Sequence, residues 1–251
     1  LTALVRAPSS RMADGELTHL DRVPVDAELA DAQWEGYVAA LEANGFETIE
    51  VPAADELADS VFIEDTVVMF GSVAVLTSPG AESRQPEIDA VRSSVTELGI
   101  ELHEITQPGT LDGGDVLKVG STVYVGRGGR TNAEGIRQLR AIVTPLGYTL
   151  IAVPIEKVLH LKSGVTALPD GTIIGYPDLV DNVDLYDRFL AVPEAEGAAV
   201  VVLSDDAVLM SSSAPQTAAL IENLGYRVVT VDVSEFEKME GCVTCLSVRI
   251  R

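Results

Sequence analysis

The strongest constraint on the fold is a repeat that runs along most of the chain. Strand-like segments with similar endings recur in the order FETIEVPAA, IELHEITQP, YTLIAVPIE, RFLAVPEAE and YRVVTVDVS. Four of them follow a glycine that ends a helical pattern, because glycine past a helix takes the left-handed conformation at little cost. These glycines are Gly45, Gly99, Gly147 and Gly225. Spacings of roughly 40 to 55 residues indicate a propeller or a solenoid.

An amphipathic helix and a hairpin are predicted upstream of the recurring strands. In PEIDAVRSSVTELG, the apolar residues Ile88, Val91, Val95 and Leu98 fall on one helical face. Before the helices, pairs of apolar segments are separated by turn-forming residues, which is typical of hairpins. The repeating unit is therefore hairpin, helix, strand. The hairpin turns are predicted at Gly71-Ser72, Gly120-Ser121, Asp170-Gly171 and Asp205-Asp206.

A fifth unit is complete only if the two ends of the chain pair with each other. The segments VTCLSVRI and LTALVRA would supply its hairpin strands, and AELADAQWEGYVAALEANG its helix. Such circular closure protects the edges of sheets. The sequence thus predicts an α/β fold in which residues 1–251 form a single domain of five pseudo-symmetric units, closed by the N- and C-terminal strands. An open α/β sandwich is the alternative.

The composition excludes several classes of partner. Acidic residues outnumber basic ones by 39 to 17, for a net charge of −22, so the chain repels nucleic acids and suits a small cationic substrate. No apolar run is long enough for a membrane helix, and the N-terminal sequence predicts no signal peptide. Two cysteines three residues apart cannot cross-link a chain of this size, so a reduced, cytoplasmic protein is expected, as a monomer or homodimer.

Residues with catalytic side chains follow four of the recurring strands. Asp65 ends the segment after the first strand, Asp112 lies in LDGGD after the second, and His160 lies in LHLKSG after the third. The only cysteines, Cys242 and Cys245, follow the fifth strand. Each group precedes or begins the next hairpin, so the pseudo-symmetry brings them to one end of a common axis. A thiol, an imidazole and carboxylates at one place are the parts of nucleophilic catalysis.

The two cysteines are predicted to differ in their surroundings. They lie three residues apart in CVTC, and in an extended strand such residues point to opposite faces. One thiol is therefore expected to face a site and the other to face packing. Neither a disulfide nor a zinc site is expected, because the chain has no second Cys/His pair.

Several motifs together resemble a known family. VFIEDTVV, LDGGDVLKVG, GGRTNAEG, LHLKSG and GCVTCLSVRI are similar, in this order, to those of the dimethylarginine dimethylaminohydrolase family, over nearly the whole chain. The resemblance implies the five-bladed α/β propeller of the guanidine-modifying pentein superfamily. It also implies hydrolysis of Nω-methylated arginines to citrulline and a methylamine through a covalent cysteine intermediate, with no metal or organic cofactor.

The resemblance also assigns roles to particular residues. The cysteine of the T-C-x-S pattern is the family's nucleophile, which selects Cys245 and leaves Cys242 where relatives carry an aliphatic residue. His160 corresponds to the general acid and base, and Asp112 to its carboxylate partner. The residues that correspond to substrate-binding groups are Glu64 and Asp65 for the guanidinium, Asp59, Arg84 and Arg130 for the amino-acid end, and Leu17 in a lid loop formed by SSRMADGELTHL.

Three other functions remain open on the sequence. Arginine or agmatine deimination uses the same chemistry on a different guanidine. A propeller without catalytic activity would bind a partner through its ring face. A metal-dependent hydrolase would use Asp65, Asp112, Asp115 and His160 as ligands.

Overall fold

The computed structural model describes residues 1–251, which form five three-stranded sheets. The sheets are separate, and the one β-bridge between units pairs Ser78 with Leu111. The strands are β1 (Thr2–Val5), β2 (Glu47–Glu50), β3 (Val67–Phe70), β4 (Val73–Leu76), β5 (Glu101–Glu104), β6 (Val116–Val119), β7 (Thr122–Arg127), β8 (Thr149–Pro154), β9 (Val165–Ala167), β10 (Ile173–Gly175), β11 (Phe189–Ala191), β12 (Val200–Ser204), β13 (Ala207–Ser211), β14 (Arg227–Val231) and β15 (Val248–Ile250).

All five sheets have the same topology, in the orders β15-β1-β2, β3-β4-β5, β6-β7-β8, β9-β10-β11 and β12-β13-β14. The middle strand pairs antiparallel with the first strand and parallel with the third. A short turn can join antiparallel strands, whereas parallel strands need a longer crossover. In the sheet formed by the two chain ends, Thr2 of β1 lies opposite Ile250 of β15, so the predicted pairing of the terminal segments is present.

Helices supply most of the crossovers. The longest, α1, begins at an N-cap where Asp26 accepts a hydrogen bond from the backbone N–H of Leu29 at 3.0 Å. The four glycines predicted to follow helices have positive φ angles between 70° and 98°, as that prediction requires. No helix is both long and apolar enough to cross a membrane. The helices are α1 (Ala27–Ala43), α2 (Ile88–Glu97), α3 (Ala133–Val143), α4 (Leu161–Gly164), α5 (Pro215–Asn223) and α6 (Ser234–Glu237).

One unit departs from the predicted hairpin, helix, strand order. Between β10 and β11 the chain forms two short 3-10 turns, Pro177–Leu179 and Val183–Leu185, and no α-helix. The segment is rich in Asp and Asn, whose side chains compete for backbone hydrogen bonds. Asn182, for example, accepts a bond from the backbone N–H of Asp184 at 3.1 Å. The prediction of a helix in this unit is therefore wrong.

The apolar core lies between neighbouring units. It is divided into five clusters, and one of them combines Val68 and Val75 from one sheet with Val116 and Leu139 from the next unit. Neighbouring units therefore share buried surface. The loops that precede the first strand of each sheet meet near one another, and they carry most of the polar residues discussed below.

Helix α1 anchors the segment that carries the cysteines. Tyr37 is fully buried, and its hydroxyl lies 2.8 Å from the carbonyl oxygen of Val243 and 2.7 Å from Oγ of Ser247. These two bonds fix both sides of the turn that contains Cys245. Because they are shielded from water, loss of the hydroxyl leaves the carbonyl oxygen of Val243 unsatisfied, whereas Oγ of Ser247 keeps a hydrogen bond from Arg249 at 2.9 Å.

We expect Tyr37→Phe to lower the free energy of unfolding by about 1–3 kcal/mol, since the buried carbonyl oxygen of Val243 loses its partner. Denaturant unfolding of the purified variant measures the change. Tyr226→Phe is the matched control, because Tyr226 packs at the edge of a core cluster and makes no side-chain hydrogen bond. Equal effects of the two substitutions would contradict the anchoring role.

Candidate active site

A narrow cavity is lined by most of the polar residues selected from the sequence. They lie on loops from separate units, which only the fold brings together. Phe62, Leu159 and Met239 add apolar surface to the same cavity. The selected residues that line it are Asp59, Asp65, Arg84, Arg130, His160 and Cys245.

Asp65 lies at the centre of the polar contacts. One carboxylate oxygen accepts a hydrogen bond from Arg84 at 2.6 Å, and the other accepts from the backbone N–H of Gly114 at 2.8 Å. Nδ1 of His160 is 3.8 Å from the second oxygen. Burial by itself would raise the pKa of Asp65, but His160 and Arg84 together lower that pKa to about 2. Asp65 is therefore a buried carboxylate that stays charged at neutral pH.

His160 bridges two carboxylates. Its Nε2 lies 2.8 Å from Oδ2 of Asp112, and its Nδ1 faces Asp65. Burial by itself would lower the pKa of His160, but the charge of Asp65 and the hydrogen bond to Asp112 raise it to about 9. The imidazole is therefore protonated at neutral pH, with a proton on each ring nitrogen.

The two glycines of LDGGD are required by close packing. A Cβ atom at Gly113 would lie 2.0 Å from the carbonyl oxygen of Glu64. A Cβ atom at Gly114 would lie 2.7 Å from Oδ1 of Asp65 and 2.8 Å from the ring of His160. Side chains at these positions would push the charged groups apart, so the motif does more than form a turn.

Asp115 positions the loop that carries His160. Its carboxylate accepts a hydrogen bond from the backbone N–H of Leu161 at 2.9 Å and another from the hydroxyl of Thr131 at 2.6 Å. Leu161 directly follows His160, so this contact fixes the start of α4. Burial raises the pKa of Asp115 to about 7. The sequence suggested Asp115 only as a metal ligand, and no local pattern indicated this supporting contact.

The two arginines differ in how many of their guanidinium N–H groups already donate hydrogen bonds. The guanidinium of Arg84 donates to Asp65 and to both oxygens of Glu87, at 3.0 and 2.8 Å, and also to the carbonyl of Phe62. Arg130 makes one contact, at 3.3 Å to Asp112. Arg130 therefore retains more N–H groups that can bind a ligand than Arg84 does.

Glu64 does not face the cavity that contains Cys245. Its carboxylate lies 2.5 Å from Nζ of Lys162, 2.8 Å from the hydroxyl of Thr244 and 3.4 Å from Arg249. These groups line a separate, larger cavity on the other side of the same 3-10 turn. The predicted pairing of Glu64 with Asp65 around one guanidinium is therefore not what the structure has, because consecutive residues in this turn point to opposite sides.

The cysteines also differ from the prediction. Residues 243–246 form a turn and not an extended strand, and the backbone N–H of Cys245 donates to the carbonyl of Cys242 at 3.0 Å. The two Sγ atoms are 3.4 Å apart. The hydrogen bond with Cys242 and burial raise the pKa of Cys245, and the nearby carboxylates of Glu64 and Asp65 act in the same direction. Cys245 is therefore a thiol when the cavity contains no cation.

The predicted lid loop lies over the cavity. The carboxylate of Glu240 accepts hydrogen bonds from the backbone N–H groups of Thr18 and His19, both at 2.6 Å. Asp59 accepts from the backbone N–H of Glu16 at 3.0 Å, and Glu16 and Glu240 both line the cavity. No sequence pattern indicated Glu240, whose φ of 60° is unusual for a residue other than glycine.

Leu17 is not among the residues that line the cavity. It is half-buried and packs against the core cluster that includes Phe62 and Cys245. The structure thus places Leu17 in the loop that covers the site, with its side chain directed into apolar packing.

Asp65, Asp112 and His160 place one potential metal-ligand atom each within 4.8 Å of the others. His160 already bonds Asp112 and lies 3.8 Å from Asp65, and both arginines of the site donate to the carboxylates. Two guanidinium groups and an imidazolium oppose a further cation at this position. Asp115, the fourth candidate ligand, uses both oxygens in other hydrogen bonds. The donor set therefore disfavours the metal-dependent alternative.

Five repeated three-stranded units, with a thiol, an imidazole and carboxylates in one cavity, define the pentein fold. The N-terminal domain of a cyanobacterial arginine dihydrolase has this fold, with a TM-score of 0.87 and 20% identity over 100% of this chain and 97% of that chain. At this level of identity the similarity concerns the fold alone. No protein-family model matches the chain.

Similarity to one family covers nearly the whole chain. The sequence is 59% identical over 249 residues to N(G),N(G)-dimethylarginine dimethylaminohydrolase of Streptomyces coelicolor, over 99% of this chain and 96% of that protein. It is 35% identical to the enzyme of the same name from Pseudomonas aeruginosa, over 98% of each. A solved structure of the Pseudomonas enzyme in complex with citrulline gives a TM-score of 0.92, with 34% identity over 99% of this chain and 98% of that chain. The chain belongs to the dimethylarginine dimethylaminohydrolase family.

The raised pKa of His160 predicts how stability depends on pH. The protonated imidazole stabilises the folded protein fully below pH 6.5, the ordinary pKa of histidine. This contribution to the free energy of unfolding is lost as the pH rises through about 9. We expect wild type to exceed His160→Gln in unfolding free energy by about 3 kcal/mol at pH 6, and the difference to shrink by pH 10. Denaturant unfolding at several pH values measures this difference in unfolding free energy. A difference that does not change with pH would contradict the raised pKa of His160.

Proposed function

We propose that this chain hydrolyses asymmetric dimethylarginine and monomethylarginine to citrulline and dimethylamine or methylamine. The observation that carries the proposal is that Cys245, His160 and Asp65 line the same narrow cavity. The substrate is a small cation, and buried carboxylates in a chain of net charge −22 attract it. Family relatives with this name match nearly the whole length of the chain.

Cys245 is the proposed nucleophile. The carbon of a guanidinium is a poor electrophile because resonance spreads the charge over three nitrogens. A thiolate is nucleophilic enough, but Cys245 is a thiol in the empty site. We infer that the entering guanidinium stabilises the thiolate as an ion pair, with the thiol proton released to solvent. The sulfur then bonds to the carbon and forms a tetrahedral intermediate.

His160 is the proposed acid and base. It begins the reaction protonated, because Asp65 and Asp112 stabilise the imidazolium. It gives a proton to the departing dimethylamine as the C–N bond breaks, which leaves an S-alkylthiouronium on Cys245. The neutral imidazole then takes a proton from water, and the hydroxide adds to the carbon. The C–S bond breaks as the hydroxyl proton passes to the sulfur, which releases citrulline and restores the thiol and the imidazolium. Asp112 holds the ring in place throughout.

Asp65 and Arg130 are the proposed substrate anchors. Asp65 accepts hydrogen bonds from the unmethylated guanidinium nitrogens, and its fixed charge keeps the carbon over the sulfur. Arg130 binds the substrate carboxylate, since most of its N–H groups are free. Asp59 has one oxygen engaged by Glu16 and another that can accept from the substrate ammonium. Arg84 then acts mainly by holding Asp65.

Glu64 receives a positioning role in place of the predicted guanidinium contact. Its bond to Thr244 fixes the residue next to Cys245, and the backbone N–H of Glu64 donates to the carbonyl of Cys245 at 3.2 Å. Lys162 neutralises the buried carboxylate. Glu64 thus fixes the turn that carries the nucleophile without touching the substrate.

The proposed site requires the five units to act as one catalytic domain. Residues that line the cavity come from loops of different units, and neighbouring units share core clusters. We infer that the units are arranged around a common axis as a five-bladed propeller, with the site at one end. No step needs a metal or an organic cofactor, because side chains and water supply every proton and nucleophile.

Apolar surface beside Asp65 favours a methylated substrate. Phe62, Leu159 and Met239 line the cavity, so one side is apolar while Asp65 makes another side acidic. A dimethylated nitrogen has no N–H to satisfy and needs room for two methyl groups. Free arginine would bury N–H groups without acceptors there, at a cost of about 1–3 kcal/mol each. Arginine or agmatine deimination is therefore the second candidate.

We expect kcat/KM for dimethylarginine and monomethylarginine to exceed that for arginine and agmatine by at least about tenfold, the equivalent of one such unsatisfied group. Citrulline formation and the identity of the released amine are the measurements. Each assay is repeated in excess EDTA, which should leave the rates unchanged. Faster ammonia release from arginine or agmatine would identify a deiminase, and loss of activity in EDTA would restore the metal-dependent mechanism.

The two cysteines should respond differently to substitution. Cys245→Ser should lower kcat by several orders of magnitude, because an alkoxide does not form at this site as a thiolate does. Cys242→Ser should keep most of the activity under reducing conditions, since this thiol lies outside the narrow cavity. If Cys242→Ser were the inactive variant, the assignment of the nucleophile would be inverted.

A further inference from the structure

The thiol of Cys242 lies at a boundary between two cavities. Cys245 lines the narrow cavity and is 5% exposed. Cys242 is half-buried and lines a second, wider cavity, whose lining includes His19 and Leu20. Both of these residues are exposed, so this cavity reaches solvent. Small molecules therefore have a route to Cys242 that does not pass through the substrate site.

The backbone turn places the two sulfur atoms close together. The turn from Cys242 to Cys245 is closed by a backbone hydrogen bond of 3.0 Å, and the Sγ atoms are 3.4 Å apart. In such a four-residue turn the end Cα atoms lie within about 7 Å, a separation that suits a disulfide. A disulfide bond is about 2 Å long, so the two sulfurs need to approach each other by only about 1.4 Å.

We propose that Cys242 is an oxidative modification site, at which a hydroperoxide forms a reversible disulfide between Cys242 and Cys245. The peroxide enters through the wider cavity and meets Cys242 first. The disulfide then occupies the sulfur that the proposed function assigns to catalysis.

The chemistry balances in two steps. The Cys242 thiolate attacks one peroxide oxygen, the O–O bond breaks, and the leaving oxygen takes a proton to give sulfenic acid and water or an alcohol. The sulfur of Cys245 then attacks the sulfenic sulfur, and its proton leaves with the hydroxyl group as water. The peroxide is reduced by two electrons, and the two thiols are oxidised by two. A thiol reductant reverses the change.

Electrostatics support this order of events. The hydrogen bond with Cys245 lowers the pKa of Cys242, while the same bond and burial raise the pKa of Cys245. The partly exposed sulfur thus has the greater thiolate character, which is the form that reacts with peroxide. The buried sulfur is protected from direct oxidation and lies beside the sulfenic acid once it forms.

The test treats the wild-type protein with hydrogen peroxide and measures intact mass. We expect a loss of about 2 Da, the two thiol hydrogens, together with at least a tenfold loss of turnover, both reversed by dithiothreitol. Cys242→Ser should show no mass loss and should be inactivated at least about tenfold more slowly, because its remaining sulfur is the protected one. Cys242→Ala gives the same comparison without a hydroxyl group.

Cys245→Ser supplies the complementary variant. It should form a sulfenic acid on Cys242 that dimedone traps, and it should form no intramolecular disulfide. A wild-type protein that gains oxygen without losing hydrogens, or a Cys242→Ser variant that is inactivated as fast as wild type, would overturn the proposal. The mass measurement does not depend on activity. If the protein forms the disulfide but does not hydrolyse methylarginine, only the proposed function is rejected.

Discussion

The buried carboxylate of Asp65 is the group on which the arrangement of the site depends. It accepts hydrogen bonds from Arg84 and from the backbone of Gly114, and it faces His160, so it joins three loops from three units. A carboxylate removed from water is stable only when charged and polar partners replace its hydration. The same contacts that stabilise the charge therefore also fix the position and protonation of the imidazole.

The 3-10 turn that carries Asp65 divides the interior into two sides. Asp65 faces the narrow cavity with Cys245, whereas Glu64 faces the larger cavity and bonds Lys162 and Thr244. Two acids that look equivalent in sequence thus have different tasks. One lies beside His160 in the narrow cavity, and the other bonds Thr244, the residue next to Cys245.

Much of the fold follows from local patterns. The hairpin turn at Gly71-Ser72 lies between β3 and β4, and the glycine stop at Gly147 has the positive φ that only glycine adopts easily. These features depend on residues adjacent in sequence, so they are visible without a structure. The segment between β10 and β11 shows where prediction from the repeat fails. The repeat suggested a helix there, but local Asp and Asn side chains favour turns.

The sequence by itself determined the repeat, the pairing of the chain ends and the kinds of reactive side chain that follow the recurring strands. Only the tertiary structure decided that Glu64 turns away from Asp65, that Asp115 supports the histidine loop, and that the sulfurs of Cys242 and Cys245 approach each other. The physical reason is that these residues lie in irregular segments. A regular helix or strand assigns each side chain a direction by its period, whereas in a turn the direction follows from backbone angles that distant contacts select.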